Sequence, residues 1–197
     1  GHPTGRFNFL FNLYSSRGKY IALCEGDDYW TDPNKLQKQV DFLEANKKFI
    51  GVVHNTYILY MAEYMVGKSV KEKREYFFPK STIKKKDLYQ GWQFHLNALM
   101  FRNIKNEMKW WNIYVFIDTA FGIMLAQMGN IGTIPETMSV YRKHNTGMTG
   151  TMANDHKDAF HAQFIWLKNL KKALGNKFFW GYYYRKAKIY ENTVLKD

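Results

Sequence analysis

The chain has 197 residues, of which 46% are hydrophobic and 18% aromatic, and it carries a formal net charge of +12. That composition fits one globular domain with a real core. No apolar run reaches the ~18 residues of a membrane span, no signal-peptide pattern opens the chain, and a single cysteine, Cys24, excludes a disulfide framework. The expected setting is therefore cytoplasmic.

Taken in chain order, residues 1–17 predict a helix with Phe7, Leu10, Phe11 and Tyr14 at three and four spacing. Tyr20 to Cys24 then reads as a buried strand bounded by Gly18 and Gly26, with Cys24 facing the core and inert as a nucleophile. Three carboxylates follow at its end: Glu25, Asp27 and Asp28. Like charges this close repel unless a cation or a donor-rich ligand compensates them, and Mg2+ or Mn2+ would do so through one or two carboxylates, leaving positions for water and phosphates. A solvated acidic turn is the plainer alternative. Asp32-Pro33 predicts an N-cap with proline at the first helical position, and Leu36, Val40 and Leu43 predict the apolar face of a helix to about Asn46, with Lys35, Lys38 and Gln39 facing elsewhere.

The segment CEGDDYWTDPNKLQKQVDFLEAN resembles the family 2 glycosyltransferases of the GT-A fold, bacterial enzymes whose strand-end acidic motif holds the metal of a nucleotide-sugar. The family's acid, any residue, acid motif matches Glu25-Gly26-Asp27, extended by Asp28, with Glu in place of the commoner first Asp. The resemblance implies an α/β fold of the GT-A type, a Rossmann-like mixed sheet flanked by helices. It also implies a Mn2+ or Mg2+ ion held by Asp27, Glu25 and Asp28, and a nucleotide-diphosphate sugar as donor. The reaction implied is transfer to a glycan or lipid-linked acceptor hydroxyl, with inversion, in cell-envelope or polysaccharide synthesis. The family's opening strand with its proline-threonine-tyrosine-asparagine run, and its Asp-Asp-Gly-Ser turn, find no match. The expectation is therefore a partial GT-A domain over residues 1–150, lacking its first strands and helices and most of the nucleobase pocket, followed by a helical extension over 151–197.

Phe49 to Tyr60 predicts the next strand, from Ile50, Val52, Val53 and Ile58. His54 and Asn55 lie inside it, and a strand histidine is more often a satisfied core or surface group than a ligand. Residues 61–90, rich in Lys, Glu and Tyr, predict an exposed insertion suited to acceptor specificity. In Gly91 to Arg102, Trp92, His95, Asn97 and Arg102 surround apolar Leu96, Leu99, Met100 and Phe101. Family members carry a comparable segment lining the donor sugar, so Trp92 and His95 become candidates for stacking on or hydrogen-bonding a sugar, against the alternative that Trp92 is ordinary core.

Val115 to Ala126 is the second strong constellation, where Asp118 interrupts an apolar stretch that opens a helix running towards Gly129. Burying a carboxylate is costly and needs a reason: Asp118 either caps the helix or is the general base that takes the acceptor's proton. The family's base sits at the start of such a helix. Gly129 to Glu136 predicts turn, short strand and turn, and Met138 to His144 a strand ending in the family-like Tyr-Arg-x-His, with Arg142 to clamp a phosphate and His144 to reach the metal or diphosphate. Residues 155–197 predict helices broken at Gly175-Asn176, with Trp180 and Tyr182 to Tyr184 beside Arg185 and Lys186.

Basic runs at 68–74, 80–86, 168–172 and 185–188 each read as solvated faces, yet their sum would draw a nucleotide diphosphate and favour peripheral contact with the anionic inner face of the membrane. Nucleic acid is not an expected partner. Two rival classes stand beside the transferase. A non-catalytic polyanion-binding module would explain the charge but not the acids, and another magnesium-dependent nucleotide enzyme would explain the acids but not the Tyr-Arg-x-His strand.

Overall fold

The computed structural model describes residues 5–60, 73–75, 81–104, 118–144 and 156–194. Its strands are β1 (Tyr20–Ala22), β2 (Tyr29–Trp30), β3 (Phe49–Tyr60), β4 (Lys73–Glu75), β5 (Thr82–Ile83), β6 (Met100–Arg102) and β7 (Asn130–Lys143); its helices are α1 (Gly5–Ser15), α2 (Lys35–Ala45), α3 (Lys85–Gln90), α4 (Asp118–Leu125), α5 (His156–Leu174) and α6 (Phe179–Val194). The strands form a seven-stranded mixed sheet in the order β1-β6-β3-β7-β2, with β4 on β3 and β5 on β7. Among the described strands, only β3 and β7 pair in parallel. Because β6 is antiparallel to both β1 and β3, the strands β1, β3 and β7 point the same way. Their carboxyl ends and the amino end of β6 therefore share one edge of the sheet.

The pleat sends successive side chains to opposite faces, and the sequence fills both. Val52 and Met100 turn to one face, with Leu43 of α2 and Phe49; Val53 and Phe101 turn to the other, among Leu13, Phe121, Ile123, Leu167, Leu170 and Phe178 from α1, α4, α5 and the turn before α6. Full burial of such a side chain contributes roughly 1.5–3 kcal/mol, so these two apolar layers bind the sheet between helices. Gly132 leaves room for the Phe42 ring, which would have to shift for a Cβ that would otherwise stand 2.4 Å from it. Arg102 ties the layers at one end, donating from Nη2 to Leu43 O at 2.7 Å and from Nε to Phe49 O at 2.9 Å, and so satisfying a carbonyl near the end of α2.

Several expectations from sequence are corrected. The first strand stops at Ala22, and Cys24 is exposed beyond it, outside the core. In α1 the buried side chain is Leu13, with Phe9 edge-on to Phe121 at 5.5 Å, whereas Phe11 and Tyr14 are exposed. Phe7 offers no test, its side chain lying outside the described residues.

In α2 the face is reversed at three positions: Lys35 and Gln39 are buried and Leu36 is exposed. The helix also starts two residues later than predicted, with Asp32 Oδ1 accepting from Asn34 N at 2.7 Å ahead of it. Lys35 is only 1% exposed. Its ammonium donates to Gln39 Oε1 at 2.7 Å and lies 4.1 Å from the centroid of Trp30, so the charge finds an amide oxygen and an aromatic face inside the protein. Gln39 Nε2 in turn donates to Ala98 O at 2.9 Å and Val52 O at 3.3 Å.

Residues 130–143 form one strand rather than turn, strand and turn. The turn signal came from Pro135, which falls in a bulge: His54 opposes Ile134 and Asn55 opposes Thr137, leaving Pro135 and Glu136 unpaired in the ladder. The 61–90 stretch is not wholly an exposed insertion, because Ile83, Asp87 and Leu88 are buried. α4 ends at Leu125, short of the expected Gly129. The break at Gly175, with φ of 54°, and the helices on either side are as expected. No helix among the described residues is long and apolar enough to cross a membrane.

Two outcomes follow from the buried polar groups. His54 is fully buried, its Nδ1 against Asn55 O at 2.7 Å, and burial pulls its imidazole down to about 4. The unfolded chain then binds the extra proton between about pH 6.5 and 4, so stability falls as pH drops through that window, and His54→Leu should flatten this part of the pH dependence in urea unfolding. Gln39→Leu removes the acceptor of a buried ammonium and the donor of two carbonyls; we expect a loss of at least about 1–3 kcal/mol, measured by chemical denaturation.

Candidate functional site

The acidic segment leaves β1 at one edge of the sheet and enters β2 at the other, crossing the end where β1 and β7 terminate and β6 begins. It is pinned along the way. Leu23 N donates to Leu99 O at 3.1 Å, Asp28 N to Glu25 O at 3.0 Å, and Trp30 Nε1 to Asn97 O at 3.0 Å. This turns Asp28 inward, while Gly26 stays exposed and Asp27 half-buried.

Asp28 is the result. Its side chain has 0% exposure. Oδ1 accepts from Arg142 N at 3.0 Å and Oδ2 from Asn97 Nδ2 at 2.9 Å. Burial nevertheless pushes the carboxyl up to about 6, more than these two donors offset, and the neighbouring Asp27 charge adds to the rise. Asn97 is itself fully buried and fully used: Nδ2 also reaches Val140 O at 3.2 Å, while Oδ1 accepts from Ser139 Oγ at 3.0 Å and Thr56 Oγ1 at 3.3 Å. One amide thus ties the acidic segment to β3 and β7.

Against Asp28 stands His95, 5% exposed. Its ring lies on Tyr141 with centroids 3.7 Å apart and meets Trp92 edge-on at 5.3 Å. Nδ1 points to Glu25 Oε2 at 3.8 Å and Asp28 Oδ2 at 3.7 Å, beyond hydrogen-bond distance, and has no hydrogen-bond partner. Burial pulls this imidazole down to about 4, against the pull of the Asp27 charge, so it is neutral at pH 7. Among the described residues, Glu25, Asp28 and His95 bring one ligand atom each within 4.8 Å of one another. Two buried or half-buried carboxylates and an unprotonated imidazole are a chemically suitable donor set for a divalent ion.

Asp27 takes a different course. Its Oδ2 pairs with His144 Nε2 at 3.0 Å, and its carbonyl accepts from Arg142 Nε. The sequence-predicted metal ligands Glu25, Asp27, Asp28 and His144 therefore gather at one sheet edge but in two groups. Arg142 and His144 stand beside the acids, as expected from the strand that carries them. Trp92 is half-exposed on the same wall. Asp118 opens α4, as predicted, though its carboxylate lies outside the described residues.

Sequence reasoning named Asn97 without giving it a role, missed Thr56 and Ser139, and turned Lys35 away from the interior. The signal for Asn97 was available, since an amide inside Leu96 to Phe101 poses the same burial question as Asp118. A cavity of about 360 Å³ lies elsewhere, lined by Lys86, Tyr89, Gln90, Tyr183 and Tyr184, and holds none of these acids.

No protein-family model matches the chain. Three curated relatives, the uncharacterized proteins Mb1547 of Mycobacterium bovis and MT1570 and Rv1520 of Mycobacterium tuberculosis, are each 32% identical over 161 residues, covering 76% of this chain and 42% of their own length. The chain thus spans less than half the length of the relatives it matches. Among solved structures, residues 1–349 of TarS from S. aureus, crystallised with UDP-GlcNAc, superpose with a TM-score of 0.51 at 13% identity, over 93% of this chain and 54% of that one. The mixed α/β fold, a curled mixed sheet flanked by helices, resembles the TarS fold.

Asn97→Leu should leave the Asp28, Ser139 and Thr56 side chains each short of a partner and cost at least about 2–3 kcal/mol in urea unfolding. Ser139→Ala, which removes a donor but leaves Asn97 its other contacts, should cost about 1 kcal/mol or less.

Proposed function

We propose that this chain carries the metal and acceptor side of a GT-A glycosyltransferase domain of the family 2 type, over residues 1–150, with residues 151–197 as a helical extension. The reaction is transfer of a sugar from a nucleotide-diphosphate donor to an acceptor hydroxyl. One observation supports this reading above others: Glu25, Asp28, Asp27, Arg142 and His144 converge on one sheet edge, in a fold like that of a protein crystallised with a nucleotide-sugar. A polyanion-binding module has no use for a carboxylate buried at such cost.

In this reading Glu25 and Asp28 hold a divalent ion, which supplies neutralisation of the charge building on the departing nucleoside diphosphate. The Arg142 guanidinium has N–H donors beyond the one given to Asp27, and these would serve the phosphates of a bound donor. His144, oriented by Asp27, offers a donor to the same oxygens. Trp92, exposed beside the buried His95, offers an indole face to the apolar side of the sugar. Asp118 takes the acceptor proton as the acceptor oxygen attacks the anomeric carbon, which inverts the stereochemistry in one displacement. The acceptor is a glycan or lipid-linked sugar of the cell envelope, and the net charge of +12 favours peripheral contact with an anionic inner leaflet.

The test uses the full-length protein that contains this chain. Asp118→Asn should lower transfer by about 10²–10⁴-fold while leaving the affinity for a nucleotide-sugar, read by calorimetry with Mn2+ present, within about twofold. Transfer at near wild-type rate would remove the base assignment, and failure of every nucleotide-sugar to bind would remove the reading itself.

A further inference from the structure

The family-like motif directs attention to Asp27, the second acid of the acid, any residue, acid pattern, and to His144 at the far strand. The geometry directs it to a different set. Asp27 and His144 are hydrogen-bonded to each other at 3.0 Å, whereas the buried polar atom without a hydrogen-bond partner at this edge is Nδ1 of His95. A buried nitrogen left unsatisfied costs about 1–3 kcal/mol, and among the described residues His95 Nδ1 is the orphaned atom that faces the acids, where a bound ion would complete it. This nitrogen does not wander. Its ring is clamped between the Tyr141 face at 3.7 Å and the edge of Trp92 at 5.3 Å, and it is aimed at two carboxylate oxygens at 3.7 and 3.8 Å.

Those separations have a meaning. At 3.7–3.8 Å the nitrogen is too far from either oxygen for a hydrogen bond. Two donors that share one first-row ion, each ~2.1 Å from it, stand about 3–3.5 Å apart, so a small contraction suffices to close on an ion. Asp28 keeps lone pairs for this, because each of its oxygens accepts one protein donor and can accept a further contact. Glu25, with 40% side-chain exposure, leaves the set open on the solvent side, where substrate oxygens would complete the coordination.

We propose that Glu25, Asp28 and His95 form a mixed carboxylate and imidazole site for a divalent transition-metal ion, with His95 Nδ1 as its nitrogen ligand, one residue displaced from the acid motif. Asp27 and His144 lie outside the coordination and act on the phosphates. The proposal rests on the transferase reading only for the identity of the diphosphate that would meet the ion. A nitrogen donor also sets the preference among ions. Mg2+ is bound through oxygens and waters, while imidazole favours the later divalent ions, so the site selects Mn2+ over Mg2+ and Zn2+ over both.

Mn2+ alone, titrated into the 197-residue chain, tests this without donor, acceptor or turnover. Electron paramagnetic resonance should show bound Mn2+ with a directly coordinated ¹⁴N in its pulsed spectrum. His95→Ala and His95→Gln should lose the nitrogen coupling and weaken Mn2+ binding by about tenfold or more, while Asp27→Asn and His144→Ala keep the coupling and bind within about threefold of wild type.

The wild-type spectrum needs no variant to be decisive: bound Mn2+ without nitrogen coupling, or no bound Mn2+ at millimolar ion, overturns the site. Coupling that survives His95→Ala but vanishes in His144→Ala also overturns it. Nucleotide-sugar binding is scored separately. Nitrogen-coupled Mn2+ in a protein whose full-length form binds no nucleotide-sugar upholds the site and removes the transferase reading, and donor binding with nitrogen-free Mn2+ does the reverse.

Discussion

The buried carboxylate of Asp28 is the constraint around which the rest of this molecule is arranged. A charge withdrawn from water must find donors, and the two it finds come from distant parts of the chain, the backbone of β7 at Arg142 and the amide of Asn97 before β6. Holding both donors in place requires β2 to pair with β7, Trp30 to reach Asn97, and Thr56 and Ser139 to fix the other end of that amide. The compensation is incomplete, since the carboxyl still titrates near 6. A structural ion pair would be better balanced; residual imbalance of this kind concentrates where a ligand finishes the job.

Beneath this sits a second buried polar arrangement on the other side of the 95–99 turn. Lys35 and Gln39 project from α2 into the interior and reach the same short turn that carries His95 and Asn97, Gln39 through Ala98 O. The ammonium is shifted down to about 8 by burial, so it retains its charge at neutral pH. The turn is thereby held from below by α2 and from above by the acidic segment. Its side chains have little freedom to drift, which is what a preorganised site needs.

The apolar skeleton of the fold was legible in the sequence because burial leaves a periodic trace. Phe49 to Tyr60 spans the observed strand, and the break at Gly175 falls where its backbone demands glycine. Errors arose where polar residues do apolar work. Lys35 and Gln39 occupy the inner face of α2, a choice that no hydropathy pattern anticipates, and Leu36 is left outside. Pro135 reads as a turn because bulges and turns use the same residue. At the site, the residue types were visible and their grouping was not: Glu25, Asp28 and His95 come together only through the pairing of β1 with β6, a contact between positions some eighty apart. Local spacing grouped Glu25 with Asp27 instead. The long-range network through Asn97 likewise depends on strand order, which periodicity does not encode.

The path of the acidic segment from one edge strand of the sheet to the other has a consequence for how the protein is made. Its far anchor is the pairing of Tyr29 with Val140 and of Trp30 with Ser139, so β2 lacks its strand partner until a segment more than a hundred positions later has left the ribosome. Closing so long a loop is slow. A nascent chain halted before residue 139 would carry all three acids and the His95 ring but neither the strand partner of β2 nor the Arg142 donor of Asp28. Synthesis itself thus leaves Asp28 short of its Arg142 donor until β7 arrives to enclose it.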